Sequence, residues 1–309
     1  MQILDYAETA GRLPFAGLIA ALDDMFRAGC VVPLRHLHEI EGGAAPSGGW
    51  VIMPAWQAGG YLGIKTVSVY PDNHLRGLPG LFSTYTLYDA STGEPLAMLD
   101  GNAITSHRTA SASALAARYL SRPDAKTLVL LGTGRVGSLI PQAYACVRPI
   151  ETVLVWDINV EQAERAVQAF IGQGFRAALV TDLADAVSQA DVVSCATLST
   201  NALIHGAWLR PGAHLDLIGG YTPTMRESDD ACFDGTSVFV DTDEAIARAG
   251  DILSPIAAGV FAADRVQAHL EDLCKGQHAG RRHAQEITVF KAVGTALEDL
   301  AAASLVYRA

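Results

Sequence analysis

The chain has 309 residues, of which half are hydrophobic and 7% are aromatic, so it is long enough for one large domain or two ordinary domains with separate cores. Its 33 acidic and 22 basic residues give a formal net charge of -11, which disfavours a nucleic acid as partner because such binding depends on neutralising phosphates. No stretch approaches about 18 uninterrupted apolar residues, and the first residues lack a signal-peptide pattern, so we expect no membrane partner and a cytoplasmic location.

The first part of the chain, residues 1–112, mixes helical and strand patterns. Apolar residues at helical spacing predict an amphipathic helix over residues 18–28. Short strands bounded by glycine are predicted next, at residues 49–53, 61–69 and 83–88, with a turn at residues 89–93. Strands that follow one another in this way predict an antiparallel or mixed sheet, and therefore an α+β domain.

From about residue 125 the pattern changes to apolar strands that alternate with helices, as in βαβ units. Strands are predicted at residues 127–131, 152–156, 176–180, 192–196, 214–218 and 238–241. The helices between them include residues 160–171, capped by Asn159, and residues 183–189. Six strands joined by crossovers predict a doubly wound parallel sheet of the Rossmann type, so the fold class is α/β.

The last segment, residues 286–307, is predicted to be a helix with one apolar face and with Glu298 and Asp299 on its other side. Because it follows the sixth strand, we expect it to return to the first domain and to make that domain discontinuous. The predicted domains are therefore residues 1–112 with 286–309, and a dinucleotide-binding domain at residues 113–285.

A glycine loop directly follows the strand at residues 127–131 and precedes a helical segment. Its residues, all predicted to bind the cofactor, are Gly132, Thr133, Gly134, Arg135, Val136 and Gly137. The first glycine of this G-x-G-x-x-G pattern allows a tight turn, the second lets the backbone approach a pyrophosphate, and the third lets helix and strand pack closely. The helix N-terminus then offers N–H groups to the phosphates. A structural turn without a ligand is the alternative.

The second strand ends at an acidic residue, Asp157, which lies 25 residues after Gly132. An acid there accepts hydrogen bonds from the adenosine ribose and repels a 2′-phosphate, which favours NAD(H). Arg135 keeps NADP(H) open as an alternative, since a guanidinium beside the loop pairs well with that phosphate. Pro141, four residues past Gly137, is expected to disturb the helix after the loop.

Basic residues are scarce, and three of them stand in apolar surroundings: Lys65 in a predicted strand, Arg108 at the start of an alanine-rich helix, and Arg35 after an apolar run. A buried cation is costly unless it meets an anion. One interpretation is an internal ion pair or an arginine that caps a carbonyl. The other is a site for a small carboxylate, to which arginine offers a planar fork of donors.

The cysteines favour a protein without a metal centre. There are five, and no two of them stand at metal-ligand or redox-motif spacing. They are Cys30, Cys146, Cys195, Cys232 and Cys274. We therefore expect buried free thiols in a reducing compartment and no metal site.

Several motifs together resemble those of the ornithine cyclodeaminase and mu-crystallin family. They are Lys65 in Gly-Ile-Lys-Thr-Val, Pro-Asp-Asn at 71–73, the segment 100–110 with its Arg-Thr-Ala, Leu-Gly-Thr-Gly at 131–134, Asp-Leu-Ile-Gly-Gly at 216–220, Arg-Glu at 226–227, Ile-Thr-Val-Phe-Lys within 286–294, and Glu-Asp-Leu at 298–300. The resemblance runs in order over nearly the whole chain. It implies a homodimer, with the substrate and the dimer interface in the first domain and a nicotinamide cofactor in the cleft.

The resemblance also implies roles for single residues. Lys65 and Arg108 fall on the family's catalytic positions, and together with Arg35 they are expected to bind the substrate carboxylate. Thr197 and Gly219, which follow the fourth and fifth predicted strands, are assigned to the cofactor site with the glycine loop and Asp157. His107, beside Arg108, is expected to be a packed or solvent-facing histidine rather than a participant.

Positions at which the chain departs from the family pattern indicate which of the family's activities it has. Cyclodeaminases carry an aspartate where this chain has Tyr221, and an acid where it has Ile52. Residues 216–230 resemble the bacterial reductases of Δ1-pyrroline-2-carboxylate. The favoured function is reduction of a cyclic imino acid, Δ1-pyrroline-2-carboxylate or Δ1-piperideine-2-carboxylate, to L-proline or L-pipecolate. The alternatives are an ornithine cyclodeaminase that releases ammonia, an open-chain dehydrogenase of the alanine type, and a non-catalytic ligand binder like the mu-crystallins.

Overall fold

A computed structural model describes residues 1–41 and 47–309. Its strands are β1 Gln2–Leu4, β2 His36–Ile40, β3 Gly48–Trp56, β4 Tyr61–Val69, β5 Leu81–Asp89, β6 Pro95–Asp100, β7 Thr127–Leu131, β8 Thr152–Trp156, β9 Arg176–Leu179, β10 Val192–Cys195, β11 His214–Leu217, β12 Ser237–Val240, β13 Ala268–His269 and β14 Thr288–Lys291. Its α-helices are α1 Tyr6–Gly11, α2 Phe15–Ala28, α3 Gly101–Leu120, α4 Ile140–Ala145, α5 Val160–Gly172, α6 Leu183–Gln189, α7 Asp243–Arg248, α8 Gly250–Ala257, α9 Leu270–Cys274 and α10 Ala296–Arg308. Across the described ranges, no helix is both long and apolar enough to cross a bilayer.

The chain divides into two units. The first consists of Met1–Arg108 and Thr295–Ala309, and the second is Thr109–Gly294. The first unit is discontinuous in sequence because the chain leaves it within α3 and re-enters it just before α10.

The first unit is built on a six-stranded sheet in the order β1-β6-β5-β4-β3-β2. The β1–β6 pair is parallel and the other pairs are antiparallel, which confirms the predicted mixed sheet. Helix α2 begins at Phe15, three residues earlier than predicted, and its apolar stripe is buried as helical spacing requires. The buried residues of that stripe are Leu18, Ile19, Leu22, Met25 and Phe26.

Strand register in this sheet brings distant residues into one cross-strand row. Met53 of β3 pairs with Lys65 of β4, Lys65 pairs with Tyr85 of β5, and Tyr85 pairs with Leu99 of β6. Side chains opposite one another on neighbouring strands point to the same face. A Cβ on Gly63 would lie 1.8 Å from the Tyr85 hydroxyl oxygen, so β4 needs glycine there for Tyr85 to lie flat against it.

The second unit contains an eight-stranded, fully parallel sheet in the order β13-β12-β14-β11-β10-β7-β8-β9. The six predicted strands are all present, with β7 and β8 at the predicted bounds and the others within a residue or two of them. The run β9-β8-β7-β10-β11 has the Rossmann strand order, which confirms the doubly wound fold. Every residue of β10, β11, β12 and β14 is buried, as expected for parallel strands that are covered on both faces.

The prediction of one helix over residues 286–307 is wrong. Residues Thr288–Lys291 form β14, which inserts between β11 and β12, and only Ala296–Arg308 are helical. The segment Thr-Val-Phe is β-branched and aromatic, which favours a strand, and Gly294 has a positive φ of 77° that ends the run. The second unit therefore extends to Gly294 rather than to residue 285.

Pro141 does not break the helix after the glycine loop. A 3-10 turn over Gly137–Leu139 comes first, and α4 begins only at Ile140. Pro141 thus stands in the first turn of α4, where a missing N–H costs no intrahelical hydrogen bond. The expected disturbance is a short turn before the helix rather than a kink within it.

Candidate active site

The first unit holds four buried ionic side chains in mutual contact, Lys65, Arg108, Glu298 and Asp299, which we call the ion cluster. Lys65 Nζ lies 2.9 Å from Asp299 Oδ1 and 2.7 Å from its Oδ2. Arg108 donates from Nε to Asp299 Oδ1 at 2.9 Å and from Nη1 to Glu298 Oε2 at 2.7 Å. The structure thus brings two of the three predicted cations together, and the internal ion pair that the sequence left open is present.

Glu298 and Asp299, predicted to lie on the side of the helix opposite its apolar face, are both fully buried. Helix α10 is rich in alanine and is buried on nearly every side. Its two acids are tolerated there because they meet Lys65 and Arg108. They also stand in the first turn of α10, where the helix dipole favours negative charge.

The environment of Lys65 brings its pKa closer to neutral pH. Burial lowers the pKa of Lys65 from 10.5 to about 8, against the raising effect of Asp299, while the positive charges of Arg108 and Arg35 lower it further. Arg35, the third predicted cation, stands directly before β2 and is partly exposed. Lys65 is therefore able to give or take a proton within the physiological pH range.

His107 is a packed histidine, as expected. Its ring stacks on Phe15 with 5.7 Å between centroids, and its Nδ1 lies 2.9 Å from the carbonyl oxygen of Ala103. Burial lowers the pKa of His107, so it is neutral at physiological pH. It supports the helix that presents Arg108.

In the second unit the glycine loop has the local geometry expected of a nucleotide site. Gly132 has a φ of 86°, and a Cβ there would lie 2.6 Å from the carbonyl oxygen of Ala196. A Cβ on Gly137 would lie 1.9 Å from the carbonyl oxygen of Gly132, so this glycine is needed for close packing. A Cβ on Gly134 would meet nothing within 4 Å. The fold itself therefore does not require glycine at position 134. Because Gly134 has no side chain, a ligand has space to lie directly against the backbone there.

Asp157 is fixed at the edge of this loop. Its Oδ2 accepts hydrogen bonds from Thr133 N and Thr133 Oγ1, both at 2.7 Å, and its Oδ1 accepts one from Asn159 N at 2.9 Å. Asp157 stays partly accessible, and Arg135 is exposed. The loop, the acid at the end of β8 and the open Gly134 fit a dinucleotide with a free ribose 2′-hydroxyl.

Glu227 belongs to the Arg-Glu motif at residues 226–227, but the sequence assigned it no role. The fully buried Glu227 accepts hydrogen bonds from Thr197 N at 2.7 Å and Thr197 Oγ1 at 2.8 Å through Oε1, and from Gly219 N at 2.7 Å through Oε2. Asp251 and Lys291 lie beside it, also fully buried. Two signals were available in the sequence: the Arg-Glu motif itself, and the lysine that ends the apolar run Ile-Thr-Val-Phe-Lys.

Comparison with known proteins identifies the family. The profile of the ornithine cyclodeaminase/mu-crystallin family matches residues 39–309. The chain is 37% identical to a Δ1-pyrroline-2-carboxylate reductase of Paracoccus denitrificans, over 99% of this chain and 96% of that one. It is similar to the structure of the Δ1-pyrroline-2-carboxylate reductase of Thermococcus litoralis in complex with NADH and L-proline, with a TM-score of 0.92, 31% identity and coverage of 100% and 97%. An archaeal alanine dehydrogenase dimer with bound NAD also has a TM-score of 0.92, at 28% identity and coverage of 100% and 95%. The chain therefore belongs to the ornithine cyclodeaminase/mu-crystallin family.

Proposed function

We propose that this chain is an NAD-dependent oxidoreductase that reduces the C=N bond of a cyclic imino acid, Δ1-pyrroline-2-carboxylate or its six-membered homologue, to L-proline or L-pipecolate. The observation that carries the proposal is that one chain has both a lysine with a pKa of about 8 in the buried ion cluster and a glycine loop of the dinucleotide-binding type. The names of the similar reductases support the same chemistry.

The cofactor we propose is NADH rather than NADPH. The glycine loop, Thr197 and Gly219 would hold it, and Asp157 would accept hydrogen bonds from the adenosine ribose and repel a 2′-phosphate. The bound nicotinamide supplies the hydride that reduces the imine carbon. NADH and NAD are the cofactors named for the two similar structures, which supports this choice.

The substrate carboxylate would be bound by Arg108 and Arg35. A guanidinium carries five N–H donors, and the contacts of Arg108 with Asp299 and Glu298 use two of them. Those contacts also fix the orientation of the fork, and fixed donors lose little freedom when they bind a carboxylate. The buried setting strengthens the interaction, since water does not compete for the same donors.

Lys65 would handle the proton of the reaction. Reduction places the hydride on the ring carbon and a proton on the ring nitrogen, while NADH becomes NAD. A protonated imine accepts hydride far better than a neutral one, so an acid near the nitrogen accelerates the step. With a pKa of about 8, Lys65 is mostly protonated at neutral pH and able to act as that acid.

We propose further that the chain forms a homodimer through the sheet of the first unit. On the face opposite to that of Lys65, Trp50 pairs with Ser68 and Ser68 pairs with Phe82. Trp50 and Phe82 are exposed by 41% and 47%. Exposed aromatic side chains grouped on one sheet face are typical of protein interfaces, and the similar alanine dehydrogenase is described as a dimer. A monomeric mass for the wild-type protein in light scattering would refute this, and Trp50→Asp should convert a dimer to a monomer.

The activity is tested by following NADH absorbance with each of the two cyclic imino acids. We expect rapid oxidation by the wild type and loss of it in Lys65→Met. Lys126→Met is the matched control, because the Lys126 side chain is exposed and forms an ion pair with the exposed Glu151 at the amino end of β7. Absence of NADH oxidation with both compounds would refute the proposal. Ammonia release from L-ornithine, NADH oxidation with pyruvate and ammonia, or ligand binding without turnover would then identify the alternative.

A further inference from the structure

The second unit contains a buried charged group formed by Glu227, Asp251 and Lys291, which we call the Glu227 cluster. Lys291 Nζ donates to Asp251 Oδ2 at 3.1 Å. Asp251 Oδ1 accepts the backbone N–H of Glu227 at 2.8 Å and that of Ser228 at 3.0 Å. All three cluster side chains are fully buried, so Asp251 and Lys291 fix the backbone from which the Glu227 side chain extends.

The Glu227 carboxylate joins the ends of two neighbouring strands. Thr197, which donates its N–H and hydroxyl, follows β10, and Gly219, which donates its N–H, follows β11. These strands are parallel neighbours in the sheet, so both contacts lie at the carboxyl edge. Ligands of doubly wound sheets bind outside that edge, next to the turns that follow the strands.

The two glycines that follow β11 pack closely against the Glu227 cluster and Thr197. A Cβ on Gly219 would lie 2.5 Å from Glu227 Oε1 and 1.8 Å from the carbonyl oxygen of Thr197, and a Cβ on Gly220 would lie 2.5 Å from Asp251 Oδ2. Glycine is therefore required at 219 by the Thr197 backbone together with Glu227, and a side chain at 220 would collide with Asp251. The hydrogen bonds of the Glu227 carboxylate thus hold two backbone segments that are already in close contact.

We infer that Glu227 is a positioning residue for the nicotinamide cofactor, because its carboxylate holds Thr197 and Gly219 in the conformation that binds NADH. The inference rests on the proposed function, which assigns those two residues to the cofactor site. Glu227 is fully buried and acts through them rather than by contact with the cofactor.

The cluster makes this role dependent on pH. The charged or titratable groups that face Glu227 are Lys291 from β14, Asp251 from α8 and the Cys195 thiol from β10. Burial raises the pKa of Glu227 to about 7; Lys291 opposes this shift and Asp251 adds to it. The ionised carboxylate accepts all three hydrogen bonds, whereas a protonated one carries an O–H in place of an acceptor site. NADH affinity should therefore fall as the pH is lowered through about 7.

The test is a direct titration of NADH, followed by nucleotide fluorescence, at pH values above and below 7. For Glu227→Gln we expect the Kd at the higher pH to rise by at least about tenfold, with a larger effect on the KM for NADH than on kcat. The dependence of Kd on pH should disappear in this variant. Asp191→Asn is the matched control: Asp191 is also buried and holds Lys126 N and Thr127 N, but it precedes β10 and so lies at the opposite edge of the sheet. It should lose thermal stability and keep the wild-type Kd.

Two results would overturn the inference: a wild-type Kd in Glu227→Gln, or a Kd that changes with pH in the variant as it does in the wild type. Should Glu227→Gln not fold, Glu227→Asp retains the charge on a shorter side chain, and it should bind NADH more weakly but with the same dependence on pH. An unchanged Kd in that variant would equally count against the inference. A wild-type protein that does not bind NADH at any pH would instead refute the proposed function itself.

Discussion

Asp299 links the two cations of the ion cluster, since its carboxylate contacts both Lys65 and Arg108 and is fully buried. Removing one partner of a buried ion pair costs about 3–5 kcal/mol, because the remaining charge is left uncompensated. In Asp299→Asn, Arg108 keeps its bond to Glu298 at 2.7 Å, but Lys65 loses its carboxylate partner. We therefore expect the free energy of unfolding to fall by about 3–5 kcal/mol.

The same change should alter activity in a defined direction. The charge of Asp299 raises the pKa of Lys65, so its loss moves that pKa below about 8. A smaller fraction of Lys65 is then protonated at neutral pH. As the pH is raised, kcat/KM for imine reduction should therefore begin to fall at a lower pH than in the wild type. Chemical denaturation measures the first effect and the pH profile of kcat/KM measures the second. Asp124→Asn, at an ion pair whose aspartate is 76% exposed, is the control and should change little. An Asp299→Asn protein with wild-type stability and pH profile would refute the reasoning.

Three further predictions follow from the site. Lys65, with a pKa of about 8, has to be protonated for reduction, so kcat/KM for reduction should fall as the pH rises through about 8. Over the same pH range, kcat/KM for L-proline oxidation should rise. A pH profile that is the same in Lys65→Met as in the wild type would contradict this role. Gly134→Ala should fold normally and bind NADH more weakly than the wild type. Gly137→Ala should unfold at a lower temperature, because its Cβ would lie 1.9 Å from a carbonyl oxygen. Equal melting temperatures for the two variants would argue against the loop assignment. Asp157→Ser should raise kcat/KM with NADPH relative to NADH by about tenfold or more, and an unaltered ratio would remove Asp157 from the cofactor site.

Much of the fold was predictable because its signals are local in sequence. Strands β7 and β8 are apolar runs bounded by turns; the sheet buries β7 on both faces, and it buries one face of β8 and partly covers the other. The segment around β14 was misread because a short apolar run has no periodicity that separates strand from helix, and the identity of its neighbours, β11 and β12, is set by contacts far along the chain.

Site residues could be predicted where their role depends on their own residue type. The prediction failed where the role depends on a partner that is distant in sequence. Lys65 and Arg108 were conspicuous as cations in apolar sequence, but nothing near them identifies their partners, which lie 234 and 190 residues further along the chain. For the same reason, the sequence placed Asp299 opposite the apolar face of its helix and did not predict its burial. Glu227 was missed as a contact of Thr197 because only the folded sheet brings the two residues together.

The central claim, hydride transfer to the ring carbon of a cyclic imino acid, is tested most directly with NADH that carries deuterium at the transferred position. We predict that Δ1-pyrroline-2-carboxylate is converted to proline with one deuterium on its α-carbon, as read by mass spectrometry, and that Lys65→Met forms little of this product. Proline without deuterium, or proline formed only from ornithine with release of ammonia, would contradict it.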